Sequence, residues 1–365
     1  MNYRDELDTP SLVVHEEILE KNLNDMAEYA RSCGITLRPH FKTHKTGAVA
    51  QRQKALGATG ITVAKIGEAE ALVDAGVYDD FFIANEIVGP IKHRRLLALM
   101  ERATVRVAVD TVDVARGLNE AMGGAGKTLD VVIELNTGQN RAGVRPDEAL
   151  GLAEMIRNEM PNLRVVGLMT HEGHAGATVE PDGIKSTAVA AGTSIVETAE
   201  QLREHGFDIT VVSVGSTPSA RHTTTIEGIT EMRPGTYVFY DNSGFRFGIK
   251  PEDCALRILA TVTSRPAPDR AILDCGSKTL TSDPSIGRKG FGYIVEFPDA
   301  EIISLSEEHG WVRLPESAQN MKVGDKVEVI PNHVCPAVNL QDEMYLVRNG
   351  EVAETWPIIA RGKVR

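Results

Sequence analysis

The sequence has few cysteines and no long apolar segment, and each shortage excludes a class of protein. Four of the 365 residues are cysteine, and they are too scattered to form a disulfide framework. No apolar run approaches the roughly 20 residues that a membrane-spanning helix needs. The first residues also lack the basic and apolar regions of a signal peptide. We therefore expect a cytoplasmic protein with reduced thiols and no membrane partner.

Positive charge is also scarce. Lys and Arg number 39 against 51 Asp and Glu, which gives a net charge of −12 and a pI of about 5.4. An acidic surface does not attract a phosphate backbone, so we expect no nucleic acid partner. No G-x-G-x-x-G follows an early strand, which argues against a dinucleotide-binding fold. The length and the 42% hydrophobic content are those of a globular protein with two domains.

Strand and helix patterns alternate through the first 250 residues. Eight β-type runs lie at residues 34–37, 61–64, 80–84, 105–109, 129–135, 163–169, 209–214 and 235–239, with helical segments between most of them. Continuous apolar runs such as 131–133 are typical of parallel strands that are buried on both faces. Eight such units in about 220 residues predict a (β/α)8 barrel over residues 15–250. A doubly wound open sheet is the alternative.

After about Pro251 the pattern changes. Short β-type runs appear at residues 256–262, 271–273, 327–330 and 344–347, separated by turn signals such as Asn349-Gly350. We expect residues 251–365, together with residues 1–14, to form a second domain that is all β. The apolar run 12–14 would join this domain as a strand.

The segment Leu37-Arg38-Pro39-His40-Phe41-Lys42-Thr43-His44-Lys45 ends the first strand of the predicted barrel. Barrel enzymes carry their chemistry at the carboxyl ends of the strands. At a buried strand end, a lysine has a lowered pKa and its amine becomes a nucleophile for a carbonyl group. A solvated basic loop fits these residues alone equally well.

Loops rich in glycine and hydroxyl groups lie at the seventh and eighth strands, at residues 215–219 and 233–237. Barrels often bind phosphate there, because glycine lets the backbone approach an anion and Ser or Thr hydroxyls donate to it. With a lysine at the first strand end, these loops predict a site for a phosphorylated aldehyde. Ordinary turns are the alternative.

Three further clusters are candidates for chemistry. Arg141 follows the fifth strand, where it would face a cofactor, a carboxylate or solvent. His171, Glu172 and His174 follow the sixth strand, and so many titratable groups favour a site over a lone hydrogen-bonded histidine. His333 and Cys335 lie two positions apart after a β-type run. In an extended chain they would point the same way, and imidazole with thiolate favours zinc. A buried cysteine beside a hydrogen-bonded histidine is the alternative.

Together these motifs resemble the fold type III pyridoxal-phosphate enzymes of the D-threonine aldolase and D-serine dehydratase group, which are related to the alanine racemase barrel. The resemblance covers nearly the whole chain. It includes Asp8-Thr9-Pro10, the segment 38–45, Thr137-Gly138-Gln139-Asn140-Arg141-Ala142-Gly143-Val144, Gly215-Ser216-Thr217-Pro218 and His333-x-Cys335-Pro336. The P-H-x-K-T-H-K motif is specific, whereas the glycine loops alone are not.

The resemblance implies a role for each candidate residue. Lys42 would hold pyridoxal 5'-phosphate covalently, with Arg141 and His171 beside the ring. The other residues implied to bind the cofactor are His40, Ser216, Thr217, Gly235, Thr236 and Tyr237. His333 and Cys335 would bind a divalent metal, zinc in the first place and manganese or magnesium otherwise. The implied catalytic residues are Lys42, His171, His333 and Cys335.

In this family the aldolases tend to have His-x-Asp at the metal position and the D-serine dehydratases His-x-Cys. His333-Val334-Cys335 therefore implies a dehydratase that converts a D-3-hydroxy amino acid, such as D-serine or D-threo-3-hydroxyaspartate, into a keto acid and ammonia. Retro-aldol cleavage to glycine and an aldehyde is the first alternative, and His171, where many members carry Tyr, leaves the substrate open. A racemase, a non-catalytic cofactor carrier and a metal-dependent barrel hydrolase also stay open. We also expect a homodimer whose active site borrows residues from the partner's β domain.

Overall fold

The computed structural model describes residues 1–178 and 182–365. The β-strands of this part of the chain are β1 (Ser11–His15), β2 (Thr36–Leu37), β3 (Ile61–Val63), β4 (Asp80–Glu86), β5 (Thr104–Val109), β6 (Leu129–Leu135), β7 (Leu163–Thr170), β8 (Val211–Val214), β9 (Glu231–Met232), β10 (Leu256–Ala267), β11 (Arg270–Leu273), β12 (Tyr293–Ile294), β13 (Glu301–Leu305), β14 (Gly310–Arg313), β15 (Lys326–Ile330), β16 (Glu343–Arg348) and β17 (Glu351–Pro357). The α-helices are α1 (Tyr3–Glu6), α2 (Glu16–Ser32), α3 (Gly47–Ala55), α4 (Ile66–Asp74), α5 (Pro90–Met100), α6 (Val112–Gly124), α7 (Ala149–Glu159), α8 (Gly183–Glu204), α9 (Ala220–Thr223), α10 (Ser277–Leu280) and α11 (Val334–Asn339). None of the helices described is both long enough and apolar enough to cross a membrane.

The chain divides into two compact units. The barrel unit comprises Met26–Lys42, Ala50–Gly235 and Lys363–Arg365. The β unit comprises Met1–Asp25, Thr43–Val49 and Thr236–Gly362. The predicted domains, residues 15–250 and the remainder, stay a prediction, because compactness does not show which segments fold independently.

The sheet of the barrel unit has eight parallel strands in the order β2-β9-β8-β7-β6-β5-β4-β3. A parallel bridge between His40 and Thr62 joins the two ends of this order, and the Thr62 N–H donates to the Pro39 carbonyl at 2.9 Å. The sheet therefore closes on itself, as a barrel requires. Phe82, Ala108, Val132 and Met169 pack together as a buried cluster on four of its strands. The predicted (β/α)8 barrel is confirmed.

One predicted strand is misplaced. Residues 235–239 do not form the eighth strand, because the strand is Glu231–Met232 and Thr236–Val238 form a 3-10 helix. The Arg233 N–H still donates to the Val214 carbonyl at 2.8 Å, but Pro234 has no N–H with which to continue the ladder. The loops after β8 and β9 consequently begin at neighbouring positions of the sheet.

The β unit contains a mixed sheet of nine strands. Its main order is β13-β14-β11-β10-β1-β16-β17, and β15 pairs with β10 and β12. Strand β1 is antiparallel to β10, with Leu12 opposite Ile258, and parallel to β16, with Val14 opposite Leu346. The run 12–14 near the start of the chain therefore lies inside this sheet. The β domain expected after the barrel is confirmed.

Candidate active site

The candidate cofactor residues of the barrel unit follow strands whose carboxyl ends share one edge of the sheet. Strand β2 pairs with β9 and β9 with β8, all in parallel. The His40 N–H donates to the Pro234 carbonyl at 3.0 Å, which ties the lysine segment to the loop after β9. His40 also shapes the turn before the 3-10 helix Phe41–Thr43, because its Nδ1 accepts from the Lys42 N–H at 3.4 Å. Lys42 therefore leaves the barrel at the edge that also carries residues 215–219.

His171 lies at the centre of this edge. Its Nδ1 is 2.5 Å from the Gly215 carbonyl oxygen. A carbonyl oxygen only accepts, so Nδ1 carries the hydrogen and Nε2 of the neutral ring is an acceptor. Burial, followed by the charges of Lys42 and Arg141, lowers the pKa of His171 to about 3. The structure thus brings Lys42, Arg141 and His171 together, and His171 is neutral near pH 7.

Arg141 is held by a tight loop after β6. The Asn136 side-chain oxygen accepts from the N–H groups of Gly138 and Asn140 at 3.1 and 3.0 Å. Gly143 has φ +101°, and a Cβ there would lie 2.6 Å from the Asn136 nitrogen, so the turn requires glycine. The Arg141 side chain is 52% exposed, and its contact with the Glu134 carboxylate is long, at 3.5 Å. The guanidinium group therefore remains available to a ligand.

The loop 215–219 is fastened from behind by Glu172, a residue to which sequence reasoning assigns no separate role. Its buried carboxyl group accepts from the Gly215 N–H at 3.2 Å through Oε2 and is 2.6 Å from the Ser219 Oγ through Oε1. The Ser219 Oγ is 2.6 Å from the Ser216 Oγ. The Glu172 carboxyl group therefore bonds to Gly215 and Ser219, the two ends of the loop, and through Ser219 it is linked to the Ser216 hydroxyl group.

Arg233 is a second residue that sequence reasoning missed. It is 4% exposed and lies beneath the loops, where Nη2 donates to the Thr170 carbonyl at 2.8 Å and Nη1 donates to the Ser213 Oγ. Its charge also acts on His171. The sequence signal for it was weak, because Arg233 stood out only as the first residue of the glycine loop 233–237.

The remaining predicted phosphate contacts divide between the units. Gly235 is buried and is the last residue of the barrel unit's main segment. Thr236 and Tyr237 belong to the β unit, where the Thr236 carbonyl accepts from the Tyr240 N–H at 2.7 Å and Tyr237 is 1% exposed. The predicted contacts of Thr217, Gly235, Thr236 and Tyr237 with a phosphate stay predictions.

The barrel-unit residues fit pyridoxal phosphate. The amine of Lys42 suits an aldehyde. The charges of Lys42, Arg141 and Arg233 all lower the pKa of His171, so this edge carries cations that can act on a phosphate. The half-buried hydroxyl group of Ser216 adds a donor of the kind that phosphate oxygens accept.

The candidate metal ligands lie in the β unit, and their local structure differs from the prediction. His333 and Cys335 are not on an extended chain, because α11 begins at Val334 and places Cys335 in its first turn. The Asp241 carboxylate caps this helix by accepting the Val334 N–H at 3.0 Å. The two side chains are nevertheless together. Burial lowers the pKa of His333, but a hydrogen bond from the ring to the Cys335 sulfur and the carboxylates of Asp283 and Asp241 raise it to about 9.

The pair fits a borderline divalent cation such as zinc. His333 Nδ1 is 2.7 Å from the Asp283 carboxylate, an arrangement that fixes the hydrogen on Nδ1 and leaves Nε2 for a metal. The Cys335 Sγ is 3.3 Å from the Thr43 Oγ1. Across residues 1–178 and 182–365, no group of three or more His, Cys, Asp and Glu side chains is arranged to hold a metal. The pair would therefore supply two ligands and leave positions for water and substrate.

Comparison with known proteins decides the family. The family described as "Alanine racemase, N-terminal domain" matches residues 14–243, and the serine dehydratase domain family matches residues 255–347. A D-threonine aldolase from Arthrobacter sp. is 36% identical over 98% of this chain and 93% of its own length. The chain belongs to the D-threonine aldolase and D-serine dehydratase family. Membership confirms the expected family, its alanine racemase-like fold and the expected class of enzyme, a pyridoxal-phosphate-dependent lyase.

Members with both candidate activities are similar to this chain. The D-threo-3-hydroxyaspartate dehydratase of Delftia sp. (strain HT23) is 32% identical over 96% of this chain and 97% of its own. The crystal structure of a D-threonine aldolase from Filomicrobium marinum has a TM-score of 0.90 at 35% identity and covers 99% of this chain and 97% of its own. Two solved variants of a D-threo-3-hydroxyaspartate dehydratase replace a histidine and a cysteine two positions apart, and the cysteine variant is in the metal-free form.

Proposed function

We propose that this protein is a pyridoxal-phosphate- and divalent-metal-dependent lyase that eliminates the hydroxyl group of a D-3-hydroxy amino acid. The products are a keto acid and ammonia. The observation that carries this choice is the Cys335 thiol in hydrogen-bond contact with His333. The histidine and cysteine replaced in the dehydratase variants have the same spacing, and the metal-free state of the cysteine variant supports a metal at such a pair.

Bound pyridoxal phosphate supplies an electron sink that makes the α-hydrogen of an amino acid acidic, and a bound metal supplies a Lewis acid for the hydroxyl group. We assign to Lys42 the covalent binding of the cofactor and, at its Nζ, the removal of the α-proton. His171 stays neutral and donates from Nδ1 to the Gly215 carbonyl, so it adds no charge beside the ring. Arg141 is the cation that we expect to bind the cofactor beside His171. His333 and Cys335 hold the metal, and Asp283 orients His333.

Zinc is the metal we propose, because a thiolate ligand selects a soft or borderline ion over Mg²⁺; manganese and magnesium are the alternatives.

We also propose a homodimer in a reducing cytoplasm, where the four cysteines, all unpaired, remain thiols. Sedimentation of the active holoenzyme tests the dimer, and an active monomer contradicts it.

The substrate test separates two products. Purified holoenzyme is incubated separately with D-threo-3-hydroxyaspartate, D-serine and D-threonine, with the L-enantiomers as controls, and ammonia, keto acid, glycine and aldehyde are measured. We expect ammonia and keto acid in equal amounts from a D-substrate, and loss of both after chelation. Glycine and aldehyde in equal amounts without ammonia would overturn elimination in favour of aldol cleavage, the second candidate that the 36% identity to an aldolase favours. Inversion of the α-carbon without either product would indicate a racemase.

A further inference from the structure

We propose that Glu172 acts as a neutral carboxylic acid that directs a chain of two serine hydroxyl groups toward the phosphate of the cofactor. This inference rests on the proposed function, since the ligand is pyridoxal phosphate. Glu172 is a positioning residue in it: the phosphate is contacted by Ser216, and Glu172 sets what Ser216 can donate.

The geometry is a continuous row of short contacts. The Glu172 Oε1 lies 2.6 Å from the Ser219 Oγ, which lies 2.6 Å from the Ser216 Oγ. The second oxygen of Glu172 is occupied by the Gly215 N–H at 3.2 Å. Glu172 and Ser219 are fully buried, whereas Ser216 is half-buried. The row therefore runs from a sealed carboxyl group outward to a hydroxyl group that a ligand can reach.

A count of hydrogens decides the direction of this row. Two oxygens at 2.6 Å need one hydrogen between them, and each serine hydroxyl group has only one. If Glu172 is ionised, Ser219 donates to Glu172 and Ser216 donates to Ser219, so Ser216 presents only lone pairs to a phosphate. If Glu172 carries a proton, it donates to Ser219, Ser219 donates to Ser216, and the hydrogen of Ser216 is left for the ligand. Only the protonated carboxyl group makes Ser216 a phosphate donor.

The surroundings of Glu172 favour the neutral form. Burial raises its pKa, although the hydrogen bonds from Ser219 and the backbone and the charge of Arg233 oppose this shift. Arg233 directs its hydrogen bonds to Ser213 and Thr170. The loop 215–219 has no charged side chain, and the adjacent His171 is neutral near pH 7. A phosphate dianion beside this loop would raise the pKa of Glu172 further, because like charges disfavour a second anion.

The test uses an amide as a copy of the neutral acid. In Glu172→Gln the side-chain NH2 group donates to Ser219 and the oxygen accepts from Gly215, so the direction of the row is kept. In Glu172→Ala the direction of the row is no longer fixed, because Ser219 can donate to the Ser216 carbonyl oxygen at 3.2 Å and Ser216 can then donate to Ser219. In Ser216→Ala the row loses its end. Apoprotein of each variant is titrated with pyridoxal phosphate and, separately, with pyridoxal, which lacks the phosphate. Alanine at either position should weaken pyridoxal phosphate binding about 10- to 100-fold, the range for hydrogen bonds to charged groups. Glutamine at position 172 should restore affinity to within about threefold of wild type, and pyridoxal affinity should not change.

An infrared measurement adds a readout that would not change if Glu172 only held the loop 215–219 in place. Wild-type holoenzyme should show the carbonyl stretch of a protonated carboxyl group, and Glu172→Gln should lack it. The proposal is overturned if the glutamine variant loses as much affinity as the alanine variants, since the ionised form would then be the working one. It is also overturned if Glu172→Ala binds as wild type does. If Glu172→Ala does not fold, the glutamine and Ser216→Ala variants still decide. Failure of wild-type apoprotein to bind pyridoxal phosphate at all would instead refute the proposed function.

Discussion

Glu328 in the β unit and Glu172 in the barrel unit are both buried carboxyl groups, and their surroundings set the charge of the two in opposite ways. In the β unit, the Glu328 carboxylate receives the Tyr3 hydroxyl at 2.6 Å, His15 Nε2 at 2.8 Å and Arg257 Nη1 at 2.7 Å. Although burial raises its pKa, these donors lower it to about 2. In the barrel unit, Glu172 has hydroxyl and backbone donors but no hydrogen bond from a cation among its described contacts, and its pKa is raised.

The comparison shows that burial alone does not set the charge of a carboxyl group. Glu328 is ionised, and its partners come from β1, β10 and α1, so it holds together elements distant in sequence. It has a role in stability. Glu172 lies behind a loop that would receive an anion, where a second negative charge would repel the ligand. Its neutrality suits binding rather than stability.

The largest expected effects come from removing each unit's ligand-binding residue. Lys42→Ala should abolish covalent attachment of the cofactor and reduce lyase activity by several orders of magnitude while zinc is retained, because zinc binds through other residues. Cys335→Ala should do the reverse: zinc is lost, activity falls as far, and the visible absorbance of the attached cofactor persists. Cofactor attachment is measured by borohydride reduction and peptide mass spectrometry, and zinc by elemental analysis.

Cys33→Ala is the matched control, because this cysteine is also partly exposed but lies in the barrel unit. It should keep zinc, cofactor and activity. Reduced cofactor on Lys45 would show that the wrong lysine was assigned. Full activity of Cys335→Ala, or of thoroughly chelated protein, would leave the dehydratase proposal without its main support.

Replacement of Glu328 and of Glu172 by glutamine should have very different effects on the free energy of unfolding. Glu328→Gln should lower the free energy of unfolding by about 3–5 kcal/mol, because it leaves Arg257 buried without its carboxylate. At pH 4.5, Glu172→Gln in the apoprotein should change it by less than about 1 kcal/mol, since the amide copies a neutral acid. Urea unfolding of both variants measures the two values.

The same two variants should differ in the sign of their pH dependence. The pKa of Glu328 is lowered from the ordinary 4.5 to about 2, so its stabilisation is present above pH 4.5 and is lost as the pH falls from 4.5 toward 2. The pKa of Glu172 is raised, so wild type should lose stability relative to Glu172→Gln as the pH rises above 4.5. A difference of the same sign for both variants would show that the two carboxyl groups are not treated differently.

Patterns within the sequence predicted most of the fold, whereas the roles of the site residues came mainly from the resemblance and stay predictions. The continuous apolar run 131–133 predicted a parallel strand buried on both faces, and Val131, Val132 and Ile133 are fully buried in β6. Lys42 was placed in a site by the rule that barrel enzymes carry their chemistry at the carboxyl ends of the strands, and the resemblance placed His171 beside it. Glu172 and Asp283 were given no role, because their contacts join positions 47 and 50 residues apart, to Ser219 and His333 respectively. No periodicity encodes such a contact, and the polar residues of a loop do not show which of them face inward.

The smallest expected effect concerns Asp283, a carboxylate that is neither buried nor paired with a fixed cation. Its side chain is 49% exposed and accepts from His333 Nδ1 at 2.7 Å. In Asp283→Asn the amide oxygen can still accept, but the charge that strengthens the imidazole as a ligand is gone, and zinc affinity should fall about 10- to 100-fold. Zinc affinity is measured by competition with a chelator.

Asp299→Asn, which removes a carboxylate that bonds only to Ser317 among its described contacts, is the control and should bind zinc as wild type does. Neither change should alter the unfolding free energy of zinc-free protein by more than about 1 kcal/mol, because exposed pairs contribute little. If Asp283→Asn binds zinc as tightly as Asp299→Asn, the orientation of His333 comes from the start of α11 rather than from Asp283. Asp283 would then have no part in the site.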